Sequence, residues 1–366
     1  MTNLNNLYID LNVLQTLPPS NINRDDTGAP KTALYGGVMR ARVSSQSWKQ
    51  AMRKMFNQEL ENYGTRTLKA PKLLADQLMA VDTTLDQPAA LKKASAVFNA
   101  AKVTIDKKNQ TKALLLVSAG QLKKIAQYVT NHDDLKDKEV VKEIKQILKG
   151  NQSLDLALFG RMVATNPELN VEGAVQVAHA ISTHEIVPEY DYYTALDDTQ
   201  KESDTGATMI GSVEFNSSTL YRYANINMAE LSRNLGSTDA IQGVETFIKD
   251  FLISMPTGKQ HAFANRTVPS YVMVTIRPDT PVNLVSAFEN PVKSRRKVGY
   301  LKESIEKLED EYQKVQKTGF VDKPVLNVVL STDSSKLDRK VQNLSELLEA
   351  ITNALAEVSQ DENTHD

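Results

Sequence analysis

Alternation of apolar and polar positions marks the first element of the chain. Leu7, Ile9, Leu11 and Val13 alternate with polar or amphipathic residues, which predicts a half-buried β-strand. Residues 18–30 are rich in proline, glycine, asparagine and aspartate, which predicts a long loop. Long loops in compact domains are commonly functional or mobile.

After this loop, the pattern of apolar residues changes from alternation to helical spacing. Residues 38–43 alternate as a short strand that places Arg40 and Arg42 on one face. Ser44 and Ser45 then predict the N-cap of a helix. Its apolar positions recur at helical spacing and comprise Trp48, Met52, Met55 or Phe56, and Leu60. Its polar residues Gln46, Lys49 and Arg53 share a second face.

Helical and extended patterns alternate along the rest of the chain. Residues 71–150 are lysine-rich and helical, which predicts a helical insertion into a β-containing core. We expect another helix over 171–183, strands over 220–228, 271–276 and 325–330, and a last amphipathic helix over 343–358. The polar tail 359–366 is expected to be disordered. Strands separated by helices and insertions favour an α+β fold over a doubly wound sheet, and Gly36-Gly37 is interpreted as a bend before the strand.

Composition limits the classes of protein. The 366 residues include 41% hydrophobic residues, enough for a buried core, and no cysteine. Disulfides and thiolate metal sites are therefore excluded, and a reducing cytoplasm is the expected compartment. Residues 1–8 lack the pattern of a signal peptide, and no stretch approaches the length of a membrane span, so we expect a soluble cytoplasmic protein.

The distribution of charge is more informative than the net charge of −2. Residues 27–58 contain six basic residues and no acidic residue. A second basic stretch, residues 259–297, ends in Lys293, Arg295, Arg296 and Lys297, whereas residues 185–214 hold eight acidic residues and one lysine. Basic patches on a nearly neutral chain fit a protein that binds a polyanion with one surface and protein with others.

The candidates for catalysis are few. His179 and His184 are five residues apart, which is not the spacing of a zinc pair on a helix, and structural roles are favoured for the histidines. The adjacent carboxylates of Asp25 and Asp26 suit a divalent metal for phosphodiester cleavage. They equally suit a turn cap or a pair with Arg24, and we favour these structural roles because no second acidic motif supports a metal. Asp197-Asp198 is similarly ambiguous.

One constellation favours phosphate binding. It consists of a helix N-terminus with hydroxyl donors and flanking cations: Arg40, Arg42, Ser44, Ser45, Gln46, Lys49 and Arg53. Aromatic residues are 6% of the chain, so we expect contacts to phosphate and ribose rather than a ring under every base. An ordinary capped helix with exposed cations explains the same residues equally well.

Several ordered blocks of sequence resemble the CasC (Cse) family, the backbone subunits of the type I-E CRISPR complex Cascade. The blocks are Asn23-Arg24-Asp25-Asp26, Gly36-Gly37, Arg42-Val43-Ser44-Ser45-Gln46-Ser47, Gly160-Arg161-Met162, Ala178-His179-Ala180-Ile181-Ser182-Thr183-His184, Thr194-Ala195-Leu196-Asp197-Asp198, Tyr221-Arg222-Tyr223-Ala224-Asn225-Ile226-Asn227 and Ala287-Phe288-Glu289. The resemblance extends from near the start of the chain to about residue 297. It is loose in the helical stretch 65–150 and in the last part of the chain.

The resemblance implies an α+β hand-like fold. Its palm is a modified RNA-recognition-motif (ferredoxin-like) domain, its fingers are a helical insertion, and its thumb is a β-hairpin. On this chain the palm is expected over 1–64, 151–187 and 220–342, the fingers over 65–150 and the thumb over 188–219. The C-terminal helix and polar tail occupy 343–366.

The resemblance also implies a non-catalytic subunit, without cofactor or metal, that polymerises along CRISPR RNA. The residues expected to hold the RNA are Lys31, Arg40, Arg42, Ser44, Ser45, Gln46, Lys49, Arg53, Met162, Lys259, Lys293, Arg295 and Lys297. Residues 206–211 form the expected thumb tip, with Met209 and Ile210 as the apolar wedge, and an acidic flank faces a neighbouring copy. That flank comprises Glu189, Asp191, Asp197, Asp198, Glu202 and Asp204.

The implied partners extend beyond the guide RNA. They are target DNA, contacted by Lys136, Lys138 and Lys142, further copies of the chain, and the subunits CasA, CasB, CasD and CasE. The alternative function is a metal-dependent ribonuclease that cuts target RNA with Asp25 or Asp26, as related backbone subunits of type III complexes do.

Overall fold

The computed structural model describes residues 4–132, 134–150, 152–163, 165–195, 209–294 and 298–363. The strands of these ranges are β1 Tyr8–Ser20, β2 Thr32–Tyr35, β3 Val38–Val43, β4 Gly64–Thr67, β5 Leu115–Ser118, β6 Val175–Val177, β7 Ala180–Ser182, β8 Glu189–Ala195, β9 Met209–Asn227, β10 Tyr271–Arg277, β11 Leu326–Ser331 and β12 Lys340–Val341. The α-helices are α1 Ser45–Glu59, α2 Ala70–Val81, α3 Gln87–Ala100, α4 Ala119–Asn131, α5 Lys138–Lys149, α6 Leu154–Phe159, α7 Met228–Leu235, α8 Ser237–Ile253, α9 Gln260–Phe263, α10 Leu301–Lys317 and α11 Leu344–Asn363. The 3₁₀ helices of the described ranges span Leu4–Asn6, Pro167–Leu169 and Leu284–Phe288.

A large sheet organises the protein. Its strand order is β12-β11-β10-β1-β9-β7-β3-β2, and β6 and β8 pair with further parts of β9. The described pairs are antiparallel except β11 with β12. Strand β1 lies at the centre, where Leu11 pairs with Val274 on one side and with Ala224 on the other. The mixed α+β fold predicted from the sequence is therefore present.

Strand β1 is buried on both faces, so the prediction of a half-buried strand is wrong. Ile9, Leu11 and Val13 enter the main hydrophobic core, which α1, α7, α8 and α11 cover. The alternate residues Asp10 and Asn12 are also buried, because α10 and the 3₁₀ helix Leu284–Phe288 cover the opposite face. The alternation in sequence therefore separates an apolar face from a buried polar one, not a core face from solvent.

The polar side of β1 is a satisfied hydrogen-bond network. Asp10 accepts from Arg277 Nε at 2.9 Å, from Tyr223 Oη at 2.7 Å and from the Val282 amide at 3.0 Å. Burial raises the pKa of Asp10 to about 6, against the opposing effect of these partners. Buried polar groups persist in proteins when they are paired in this way.

The structure corrects three further expectations. Strand β1 continues through Pro18 and Pro19, so the loop begins only after Ser20. Residues 171–183 form β6 and β7 instead of a helix, because they find pairing partners on β9 and β3 that a helical periodicity does not reveal. Helix α11 continues to Asn363, which places residues 359–363 of the expected disordered tail in a helix.

The helices between residues 70 and 149 enclose a second core. Leu74, Phe98, Ile125 and Ile144 belong to a hydrophobic cluster separate from that of the large sheet. Strands β4 and β5 form a two-stranded sheet beside these helices, which the sequence did not predict. Within the described ranges, no helix has both the length and the apolar character needed to cross a bilayer.

Candidate nucleic-acid interface

A tight hairpin places the two arginines of β3. Gly36 and Gly37 link β2 to β3 with φ values of 60° and 79°, which suits the two-residue turns of β-hairpins. A Cβ atom at Gly36 would come within 2.8 Å of the carbonyl carbon of Glu289. The pair is therefore the hairpin turn itself, where the backbone geometry requires glycine.

Arg40 is not on the surface, which corrects its assignment to the RNA-binding set. Its side chain is fully buried, and its guanidinium donates to the carbonyl oxygens of Ser182 at 2.9 Å and Phe288 at 2.8 Å. The 3₁₀ helix Leu284–Phe288 covers this end of the strand face. Arg40 therefore joins β3 to that helix, and its buried guanidinium is committed to backbone acceptors.

Arg42, two residues further on the same strand face, is half-buried and points to the edge of the sheet. Its Nε donates to the Thr32 carbonyl oxygen at 2.9 Å, and its Nη1 lies 3.2 Å from His179 Nδ1. Its own amide donates to the Lys31 carbonyl oxygen at 2.9 Å. Lys31, Arg42 and His179 therefore form one cationic corner, contributed by three separate segments.

Helix α1 begins beside that corner. Ser44 is the N-cap: its Oγ accepts from the Ser47 amide at 3.4 Å, and its own amide donates to Asn23 Oδ1 at 2.8 Å. The predicted cap is thus confirmed, and the Asn23 side chain holds the loop against the helix start. Ser44 is buried, Ser45 is half-buried and Gln46 is exposed. A helix N-terminus at this position adds partial positive charge to the surface.

Lys49 and Arg53 extend the surface along α1. Lys49 Nζ lies 5.4 Å from the centre of the Phe159 ring. Burial and the charge of Arg53 lower the pKa of Lys49, and burial and the charge of Arg66 lower the pKa of Arg53. The charge of Asp155 partly offsets these effects on Arg53. Partly buried cations that repel each other favour the binding of an external anion. Arg66 was missed by the sequence reasoning because the β4–β5 pair that carries it was not predicted.

Met162 is presented at the surface by a rigid turn. Gly160 has a φ of 73°, and a Cβ there would come within 2.7 Å of the Val171 carbonyl oxygen. Arg161 is buried and donates to the carbonyl oxygens of Leu169, Leu116 and Leu148. Met162 follows with 82% of its side chain exposed. An unbranched apolar side chain so exposed beside a fixed backbone suits contact with a partner.

Strands β8 and the first part of β9 form a hairpin that projects from the sheet. All seven residues of β8 are exposed, including Tyr190 and Tyr192. Met209 pairs with Ala195 and Ile210 with Thr194, and both apolar side chains are exposed. The expected tip residues 206–208 and the acidic residues Asp197, Asp198, Glu202 and Asp204 lie outside the described residues. Glu189 and Asp191 are exposed on β8.

The loop after β1 uses one of its two aspartates as a turn former. Asp25 Oδ1 accepts from the Thr27 amide at 2.9 Å, from Thr27 Oγ1 at 2.7 Å and from the Ala29 amide at 3.1 Å. The hydrogen bonds from Thr27 hold the pKa of Asp25 below its ordinary value. In the described part of the chain, no three histidine or acidic side chains are grouped closely enough to bind a metal ion.

The remaining predicted cations come from other segments of the chain. Lys259 is exposed at the start of α9 with a left-handed φ of 50°, and Lys293 is exposed after the 3₁₀ helix Leu284–Phe288. Arg295 and Lys297 fall outside the described residues. Lys138 and Lys142 are exposed on α5, and Lys136 precedes that helix. Together with Lys145 and Lys149 they line one shallow depression.

The two neighbouring histidines have different environments. His184 is buried; its Nε2 accepts from the Thr219 amide at 3.1 Å, and its ring stacks on Tyr300 with centroids 3.6 Å apart. This geometry agrees with the structural role that the sequence favoured for His184. His179 is exposed and belongs to the cationic corner, so the sequence reasoning missed its neighbourhood by placing both residues on a helix.

Comparisons with known proteins point to one group. Residues 9–354 match the CT1975-like protein family. A solved structure described as "CRISPR RNA-guided surveillance complex, pre-nicking" contains a chain 30% identical, with a TM-score of 0.84, covering 95% of this chain and 100% of that one. A chain of a "CRISPR RNA-guided surveillance complex" is 27% identical, with a TM-score of 0.73, and the match covers 95% of this chain and 99% of that one. None of the curated proteins matches the sequence.

Proposed function

The chain belongs to the CT1975-like protein family, and we propose that it is the guide-RNA-binding backbone subunit of a type I-E Cascade complex. Several copies would assemble along one CRISPR RNA in the cytoplasm, together with CasA, CasB, CasD and CasE. The observation that carries the proposal is the cationic surface at the start of α1 in a chain that matches CRISPR surveillance-complex subunits over nearly its whole length.

The chemistry of that surface suits RNA phosphates. Lys31 and Arg42 lie before the start of α1, and Lys49, Arg53 and Arg66 lie beyond it, with Gln46 exposed between them. These groups donate hydrogen bonds to phosphate and 2′-hydroxyl oxygens without reading base identity. Affinity should therefore be similar for unrelated guide sequences. That property is required of a subunit that serves many spacers.

We assign apolar contacts with the guide to the projecting hairpin and to Met162. We assign the hairpin of β8 and β9 as the thumb, which reaches toward a neighbouring copy. Met209 and Ile210 lie on its outer part and are exposed, as expected for side chains that pack against unstacked bases. We also assign Met162 to an apolar contact with the guide.

The lysines of α5 lie outside the hydrophobic cluster that the buried residues of this helix join. Lys138, Lys142, Lys145 and Lys149 recur at spacings of four, three and four residues, which places them on one side of the helix. A row of cations on a helix is suited to the regularly spaced phosphates of a duplex. We assign this row, with Lys136, to target DNA.

The subunit is proposed to be non-catalytic. The Asp25 carboxylate is occupied with three hydrogen bonds that shape its own loop. The competing function, cleavage of target RNA, is tested by incubating the assembled complex with complementary RNA and magnesium. We expect intact RNA; periodic cuts that disappear in Asp25→Ala would establish a ribonuclease.

Co-purification tests the proposed function directly. A tagged copy of the chain, expressed in its native host, should recover a small RNA that contains CRISPR repeat sequence, together with other Cascade subunits. Mass spectrometry of those subunits tests the type I-E assignment, because CasA and CasB are expected among them. Recovery of the chain without RNA would refute the RNA-binding role. Recovery with subunits of another type of complex would refute the type I-E assignment.

A further inference from the structure

His179 is the member of the cationic corner whose side chain can gain or lose a proton near neutral pH. His179 lies between β6 and β7, exposed, with its ring edge beside Arg42. The guanidinium of Arg42 can only donate, so Nδ1 of His179 must be the acceptor of their 3.2 Å contact. The neutral ring therefore carries its proton on Nε2.

Resting on the proposed function, we propose that His179 is a further guide-RNA-binding residue, which takes up a proton when a backbone phosphate of the RNA binds between it and Arg42. The phosphate oxygens accept from Arg42 and from the imidazolium. The bound proton comes from solvent, and no covalent bond is made or broken. The consequence is guide affinity that increases as the pH falls.

The geometry explains why anion and proton bind together. Protonation of Nδ1 without an anion would place two cationic donors 3.2 Å apart and remove the hydrogen bond between them. A phosphate oxygen that accepts from both groups replaces that bond and neutralises the repulsion. Arg42 is already held in place by its Nε bond to the Thr32 carbonyl oxygen, so the anion does not have to order it.

The charges around His179 in the free protein agree with a link between proton uptake and RNA binding. Partial burial, then the charge of Arg42 on β3 and that of Lys31 before β2, lower the pKa of His179. Among the described residues, Arg42 and Lys31 are the charged groups that act on the ring. His179 is therefore neutral near pH 7 in the free protein. A phosphate opposes both cations and raises the pKa, which links proton uptake to RNA binding.

The test measures the affinity of the full-length chain for a fluorescent single-stranded RNA of about 20 nucleotides at about pH 8 and about pH 6. The wild type should bind more tightly at the lower pH, by up to about tenfold for each unit by which RNA raises the pKa of His179. His179→Gln keeps a polar side chain but cannot titrate, so its affinity should change much less between the two pH values. His179→Lys should bind tightly at both.

His132→Gln is the matched control, since His132 is exposed at the end of α4 and hydrogen-bonds to its own helix. It should retain the pH dependence of the wild type. Equal pH dependence in wild type and His179→Gln would overturn the inference while leaving RNA binding intact. Absence of RNA binding by the wild type at both pH values would instead overturn the proposed function, and the inference with it.

Discussion

The buried guanidinium of Arg161 donates to the carbonyl oxygen of Leu148 at 2.7 Å and thereby joins the segment that presents Met162 to the last turn of α5. The same side chain reaches the carbonyl oxygens of Leu116 on β5 and Leu169. Burial lowers the pKa of Arg161 to about 10, so it stays charged at neutral pH. One residue thus fixes Met162 relative to the helices of the second core.

Replacement of Arg161 by leucine should lower the free energy of unfolding by about 3 kcal/mol, because three buried carbonyl oxygens lose their donor. Urea denaturation of the full chain measures this change. The matched control is Arg233→Leu on the exposed side of α7, which removes only a surface pair with Glu230 and should cost less than about 1 kcal/mol. Similar losses in the two variants would contradict the role given to Arg161.

Met162→Ala should weaken RNA binding without destabilising the fold. The side chain is 82% exposed, so the free energy of unfolding should change by less than about 0.5 kcal/mol. Binding of guide RNA should weaken, because an apolar contact to the RNA is lost. Unchanged RNA affinity in a normally stable variant would remove Met162 from the interface.

The same substitution should reduce stability at Arg40 and RNA affinity at Arg42, although both residues lie on one strand face. Arg40→Met leaves buried carbonyl oxygens unpaired and should destabilise the fold by about 3 kcal/mol. Arg42→Met should change stability little, reduce RNA affinity and lower the slope of log affinity against log salt by about 1. Denaturation and RNA titration of both variants check this contrast. A reduced salt slope with normal stability in Arg40→Met would contradict it.

Lys49→Ala should weaken binding to the same degree for RNAs of unrelated sequence. Removal of one phosphate contact should reduce the salt slope by about 1. Lys314→Ala is the control with the same change in charge, since Lys314 is exposed on α10 and pairs with Glu311. A loss that depends strongly on guide sequence would indicate contacts to bases instead of phosphates.

Asp250→Asn should stabilise the protein at alkaline pH. Asp250 is fully buried on α8, and neither carboxylate oxygen has a hydrogen-bond partner. Burial, and then the charge of Glu59, raise its pKa from 3.8 to about 7, against the opposing charge of Lys249. The folded protein therefore retains a proton that the unfolded chain releases, and this group lowers stability as the pH rises from about 4 to about 7.

The amide side chain that this substitution introduces carries no charge at any of these pH values. The unfolding free energy at about pH 8 should therefore exceed that of the wild type by up to about 4 kcal/mol, with a small difference near pH 4. Urea denaturation at several pH values checks the trend. Asp239→Asn, at the exposed start of α8, should show no such pH-dependent gain. A constant difference at all pH values would exclude titration of Asp250 as the cause.

Elements marked by capping residues or by clear runs of apolar residues could be predicted from the sequence alone. The serine N-cap of α1, the end of α5 before Gly150 and the strands β10 and β11 follow from capping residues and apolar runs, which act over a few neighbouring residues. The face shared by Gln46, Lys49 and Arg53 follows from helix geometry in the same way. The ordered motifs also carried the resemblance that led to the function.

Only the tertiary structure decided which side chains reach the surface. Arg40 and Arg42 have the same period and charge, yet a distant 3₁₀ helix covers one and leaves the other at the sheet edge. Asp10 alternates like a solvent-facing residue and is buried beneath α10, and residues 175–182 became strands because β9 and β3 offer free edges. His179 joins the cationic surface by meeting Arg42 across 137 residues of chain, and Arg66 joins it from a strand whose partner, β5, lies far along the sequence. Local periodicity cannot encode these partners, because burial and pairing depend on segments far apart in the sequence.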